Sequence, residues 1–176
     1  LSNQQYQNAL ERFRDFPILT KFIDAKDNLL IQIHPDNRYA LKNEGQYEKT
    51  EMWYVMDATP DATLIYGFTH EISHQEFERR IKDNTLLEVC NQVPIKKGDV
   101  FFIEAGTLHA IGAGALIAEI QQSSNSTYRV YDYGRVGKDG KPRELHIEKA
   151  LAVTKLEPPT RKPEPIAKLT AFADYD

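Results

Sequence analysis

A chain of 176 residues and 20.2 kDa can bury a full core without disulfide staples, and a composition of 41% hydrophobic and 27% charged residues excludes a disordered polymer. A net charge of −4 and a pI of about 5.8 give no electrostatic case for nucleic acid or an anionic membrane as partner. Cys90 is the one cysteine, which excludes a disulfide framework and Cys-rich zinc modules. No apolar run nears the roughly 18 residues of a membrane span, and no signal-peptide pattern is visible, so the expected location is cytoplasmic. The first residue is Leu1 and not Met, which reads as a processed chain or a piece of a longer one.

Residues 3–14 carry Tyr6, Ala9, Leu10 and Phe13 at helical spacing behind Ser2 or Asn3, and predict a helix that Pro17 ends. Strands are expected at Ile18 to Ile23 and at Leu29 to Ile33, with an Asp27-Asn28 turn between them. Two further runs, Glu51 to Met56 and Thr63 to Phe68, read as strands joined by a hairpin loop over Asp57 to Asp61. Ser73-His74-Gln75-Glu76 is a capping box ahead of a helix with Phe77 and Ile81 on one face. Thr85 to Glu88 repeats the box and predicts a second short helix. From Val93 the pattern returns to strands: Val100 to Ile103, His109 to Ile111, Ala115 to Gln121 and Thr127 to Tyr133. Turns are expected at Lys97-Gly98-Asp99, Ala105-Gly106-Thr107 and Lys138 to Lys141. His146 to Val153 reads as a last helix, and the cluster Pro158, Pro159, Pro163 and Pro165 as a linker. The fold class expected is mainly β: an antiparallel sandwich or barrel with a few added helices.

Four groups of residues can carry chemistry. On a strand, Gln32 and His34 project to one face while Ile31 and Ile33 pack on the other. They either face solvent or need partners in an interior, which a metal ion would supply. Lys49, Glu51 and Trp53 likewise share a face, as a surface ion pair or as a carboxylate ligand with a lysine beside it. The run from Gly98-Asp99 through Ile103 and Gly106 to His109 has the spacing G-D-x-x-x-I-x-x-G-x-x-H, which resembles the second conserved motif of cupins. His109 is then a cavity-facing histidine or a satisfied core one. Glu119 and Gln121 alternate with apolar neighbours, and Arg129 sits amid β-formers. That pattern fits either a lined cavity or an exposed strand face with a salt bridge. His70 and His74 read as surface residues, and His146 as the opening of the last helix.

Together, Gln32-x-His34-Pro35, Lys49-x-Glu51-Met52-Trp53-Tyr54, Gly106-x-x-His109-Ala110 and Tyr128-Arg129-Val130-Tyr131-Asp132-Tyr133 resemble type I mannose-6-phosphate isomerases, in their shorter bacterial form, from about Phe16 to about Leu151. The resemblance implies a cupin-type antiparallel jelly roll holding one Zn²⁺ per chain on Gln32, His34, Glu51 and His109. It implies interconversion of mannose 6-phosphate and fructose 6-phosphate through an enediol, with a small-molecule sugar phosphate as partner. Arg129, Lys49 and Glu119 match residues implicated in the family's catalysis. Arg135, Lys141 and Arg143 lie just past the Arg129 strand and are candidates for the substrate phosphate. Relative to the family, an upstream Trp-Gly-Gly type loop and downstream strands are missing. The expected organisation is a metal-binding domain over 1–156 and a linker with the start of a further region over 157–176. The competing readings are a non-catalytic sugar- or metal-binding cupin module and another metallocupin enzyme.

Overall fold

The computed structural model describes residues 17–137 and 140–165. The helix expected over residues 3–14, residues Lys138 and Asp139 of the expected turn, and the chain after residue 165 lie outside the described residues. Two antiparallel five-stranded sheets face each other, in the cupin-like jelly-roll arrangement expected. In chain order the strands are β1 (Ile18–Asp24), β2 (Ile31–Ile33), β3 (Glu51–Ala58), β4 (Thr63–Phe68), β5 (Cys90–Pro94), β6 (Asp99–Ile103), β7 (His109–Ile111), β8 (Ala115–Gln122), β9 (Tyr128–Tyr131) and β10 (Glu164–Pro165). The first sheet runs β1-β8-β3-β6-β10 and the second β5-β4-β7-β2-β9. The helices are α1 (Asn37–Asn43), α2 (His74–Lys82) and α3 (Ile147–Val153), and Leu86–Glu88 forms one 3₁₀ turn. None of the described helices is long and apolar enough to cross a membrane.

The core has two parts. Trp53, Val55, Leu64, Phe101, Ile103 and Ile117 fill the space between the sheets. Ile31, Ile33 and Phe68 face the other way and pack the second sheet against Phe77 and Ile81 of α2 and Ala150 of α3. This second contact turns the alternate residues of β2 toward the first sheet, which is the step that builds the site.

Several local readings change. β3 and β4 do not form a hairpin: they belong to opposite sheets, β3 runs on through Asp57 and Ala58, and residues 59–62 cross between layers. Loop length does not distinguish the two cases. Ser73 caps α2 as expected, accepting from Glu76 N at 3.0 Å, but Thr85 makes no side-chain cap. Helix α1 was not anticipated; Asp36, after Pro35, caps it by accepting from Tyr39 N at 2.9 Å. Residues 157–165, read as linker, lie against the body: β10 pairs with β6, and Pro159 sits so close to Gly67 that any Cβ there would meet its ring. Gly106, at φ +85°, accepts from Lys155 N and donates to His34 O, both at 2.8 Å, and so ties the end of β2 to the segment after α3.

Candidate metal centre and substrate cavity

The site lies between the two sheets, and strand register brings its parts together. In the second sheet Gln32 on β2 stands opposite His109 on β7, with His34 just beyond the strand end. In the first sheet Lys21, Glu119 and Trp53 form one row across β1, β8 and β3, and Gln121 and Glu51 form the next. Lys49, just ahead of β3, reaches the same place and is buried.

His34, Glu51 and His109 are all at most 1% exposed, and their donor atoms lie within 4.8 Å of one another. His34 Nδ1 is 3.0 Å from Ser126 O, and His109 Nδ1 is 2.8 Å from Thr107 O. A carbonyl oxygen only accepts, so each Nδ1 carries the proton and donates. Burial holds both imidazoles below their usual pKa, His109 at about 3, so they are neutral and each Nε2 bears a lone pair, that of His109 accepting from the Gln32 amide nitrogen. These two Nε2 atoms face each other at 3.1 Å. Glu51 Oε1 lies 3.1 Å from His34 Nε2, and Oε2 lies 3.7 Å from His109 Nε2. Burial opposes the charge on Glu51, the Lys49 ammonium beside it favours that charge, and the carboxyl is held below its usual range. Lys49 Nζ is 2.8 Å from Oε1, yet that buried oxygen accepts no hydrogen bond of sound geometry.

Three electron-pair donors therefore converge with no proton between the two nitrogens. That arrangement is repulsive by itself and becomes favourable around a cation. Two imidazoles and a carboxylate suit a borderline divalent metal, and three protein ligands leave room for exogenous ones. The Gln32 amide ends 3.2 Å from His109 Nε2, at the edge of the cluster. It stands beside the three and adds a weak amide donor at most.

In front of the cluster is a cavity of about 320 Å³, lined by Lys21, Gln32, Lys49, Trp53, Glu119 and the guanidinium residues Arg135 and Arg143, among others. A larger groove of about 750 Å³ lies beside α1, but its charges are mixed surface groups such as Asp36, Arg38, Lys42 and Glu104. The chemistry is in the smaller space. Glu119 is buried, with Oε1 2.9 Å from Lys21 Nζ and Oε2 3.0 Å from Trp53 Nε1. Asp132 holds both rim arginines, taking Arg135 Nε at 3.0 Å and Arg143 Nη2 at 2.6 Å on Oδ1. Burial opposes its charge, but Arg143 and Arg135 outweigh that and lower its pKa.

The remaining expected residues are placed differently. Arg129 stands opposite Gln32 in register, but its Nη1 donates to Glu144 O at 2.7 Å and it does not line the cavity. Its buried Nε has no partner. Lys141 is exposed in the turn where its carbonyl accepts from Gly137 N, away from the cavity lining. His70 and His74 are exposed. His146 stands at the start of α3 without capping it; its Nδ1 accepts from Arg129 N at 3.0 Å. Lys21 was missed. Its signal was a lysine between Leu19 and Ile23 on the same face of a strand, a small clue that no motif amplifies.

Two facing antiparallel sheets that close on a buried His–Glu–His cluster define a cupin-like β protein with a site able to hold a metal ion. Over the residues it shares with them, the chain is similar to mannose-6-phosphate isomerases. It is 47% identical over 145 residues to the mannose-6-phosphate isomerase of Streptococcus mutans, covering 82% of this chain and 45% of that one. It is 43% identical over 139 residues to a mannose-6-phosphate isomerase of Bacillus subtilis, covering 78% and 44%. The crystal structure of the mannose 6-phosphate isomerase from Bacillus subtilis superposes with a TM-score of 0.77 at 40% identity, covering 87% of this chain and 50% of that one. The chain thus spans under half the length of these curated relatives. No family model matches the chain.

Proposed function

We propose that the chain carries the active site of a Zn²⁺-dependent isomerase interconverting mannose 6-phosphate and fructose 6-phosphate. The observation that supports this most is the convergence of two neutral imidazole nitrogens and one carboxylate in front of a cationic cavity, in a chain whose relatives bear that name. His34, Glu51 and His109 hold one Zn²⁺, with Gln32 as the weakest of four ligands. When bound, the metal would supply Lewis-acid polarisation of the substrate carbonyl, which makes the C–H on the adjacent carbon acidic enough to lose a proton.

The chain's own groups do the rest. Glu119, fixed on one oxygen by Lys21 and on the other by Trp53, is placed to accept the proton from one carbon and return it to the next. Lys49, beside Glu51 at the cavity wall, donates hydrogen bonds to the sugar oxygens. Arg129, one strand from Gln32 and with Nε unpartnered, stabilises developing negative charge by turning from Glu144. Arg135 and Arg143 bind the substrate phosphate, for which paired guanidiniums have the matching geometry. Lys141, outside the cavity lining, contributes its charge without contact to the phosphate. A cytoplasmic location goes with a phosphorylated-sugar substrate.

The test is a coupled assay for fructose 6-phosphate formed from mannose 6-phosphate, with and without chelator. Turnover that chelator abolishes and Zn²⁺ restores is expected. Chelator-insensitive turnover would sink the metal mechanism, and zinc binding without turnover would leave a sugar- or metal-binding module.

A further inference from the structure

Trp53 is 1% exposed, and its indole lies between the two carboxylates of the site. Its Nε1 is 3.0 Å from Glu51 Oε2 and 3.0 Å from Glu119 Oε2, so one N–H is divided between two anionic acceptors. A buried indole needs one hydrogen-bond partner, and packing alone would be met by a phenyl ring. Two carboxylates on one donor in a dry interior are more than burial requires.

The consequence is directional. With Oε2 occupied by the indole, Glu51 is left to present Oε1, the oxygen nearest His34 Nε2, beside the Lys49 ammonium at 2.8 Å. The same N–H holds Glu119 by Oε2 while Lys21 holds it by Oε1, fixing its carboxyl plane at the cavity wall. The ring itself packs edge-on to His109, with centroids 5.4 Å apart.

We propose that Trp53 is a positioning residue: by sharing its indole N–H it aims Glu51 at the metal through one oxygen and keeps Glu119 oriented beside it. This rests on the metal reading of His34, Glu51 and His109. Groups that orient metal ligands are worth about ten- to hundredfold in metal affinity. Trp53 is also the one tryptophan of the chain, so its emission reports the site directly.

The experiment titrates Zn²⁺ alone into the metal-free chain by calorimetry, following tryptophan emission in the parent. Two variants are compared: Trp53→Phe, and the chain carrying 3-benzothienylalanine at 53, which keeps the two-ring shape and replaces N–H by sulfur. The parent should bind one Zn²⁺, with an emission change that saturates at one equivalent. Both variants should bind about ten- to hundredfold more weakly. At saturating Zn²⁺ the benzothienyl variant should show lower kcat for mannose 6-phosphate with KM little changed, because Glu119 is then held by Lys21 alone and its carboxyl plane is free to turn. A benzothienyl variant with the parent's zinc affinity overturns the proposal, as does emission indifferent to zinc that calorimetry shows bound. A parent that binds no zinc overturns the metal reading, and this proposal with it.

Discussion

His34, Glu51 and His109 lie behind the cavity with at most 1% of each residue exposed, whereas the side chains of Arg135 and Arg143 at its mouth are 38% and 44% exposed. The inner groups sit on or beside paired strands of two sheets, and each imidazole is pinned by a backbone carbonyl. The outer pair follows β9 on a connecting segment; both arginines pair with Asp132, and Arg135 also donates to Asn28 O at 2.8 Å. Strand pairing fixes donor atoms well enough for metal coordination. A carboxylate-tethered arginine pair is held less tightly, and suits a phosphate that must enter and leave.

The widest difference between the regions should come from His109→Ala. Removing an inner ligand should abolish measurable Zn²⁺ binding and lower turnover by about 10³-fold or more, since Lewis-acid stabilisation is worth several kcal/mol. Arg129→Ala should follow, with kcat down about 10²-fold; turnover near the parent's would remove Arg129 from the chemistry. Arg135→Ala with Arg143→Ala should raise KM for mannose 6-phosphate about ten- to hundredfold with a smaller change in kcat, the signature of lost uniform binding. An unchanged KM would move the phosphate elsewhere. Lys141→Ala should change neither parameter by more than about twofold, in keeping with the small effect of a distant exposed charge.

Acid should separate the regions too. The His34 and His109 pKa values are lowered in the folded chain, so below about pH 6.5 the unfolded chain binds more protons and stability falls with pH. The slope is up to about 1.4 kcal/mol per pH unit for each imidazole. Glu51 is lowered as well and adds a loss of the same sign below its ordinary range, near pH 4.5. Denaturant melts of the metal-free chain from pH 8 to pH 5 should show the fall, and His109→Phe should flatten it. A parent profile flat across that range would contradict neutral buried imidazoles.

The residues of the inner cluster were legible because each lies in a short motif on or beside a strand, where alternation says which side chains share a face; grouping them as ligands came from the family resemblance. Gln32 with His34, and Lys49 with Glu51 and Trp53, needed only that rule. That the two faces look at each other needed the fold: a linear pattern does not say that β3 and β4 belong to opposite sheets. Lys21 escaped for the same reason, since its meaning comes from Glu119, 98 positions away, across the β1–β8 pairing. At the rim, sequence proximity grouped Lys141 with Arg135 and Arg143; the two arginines share Asp132 and line the cavity, and Lys141 is not in the lining. Arg129 lies in register with Gln32, while its guanidinium is turned to the Glu144 carbonyl by a contact no local pattern encodes.

X-ray absorption at the zinc edge of the Zn²⁺-loaded chain tests the central claim most directly. The account predicts two imidazole nitrogens at about 2.0–2.1 Å with oxygen completing the shell, and loss of one imidazole in His109→Ala. A shell without imidazole, or one unchanged in that variant, would contradict it.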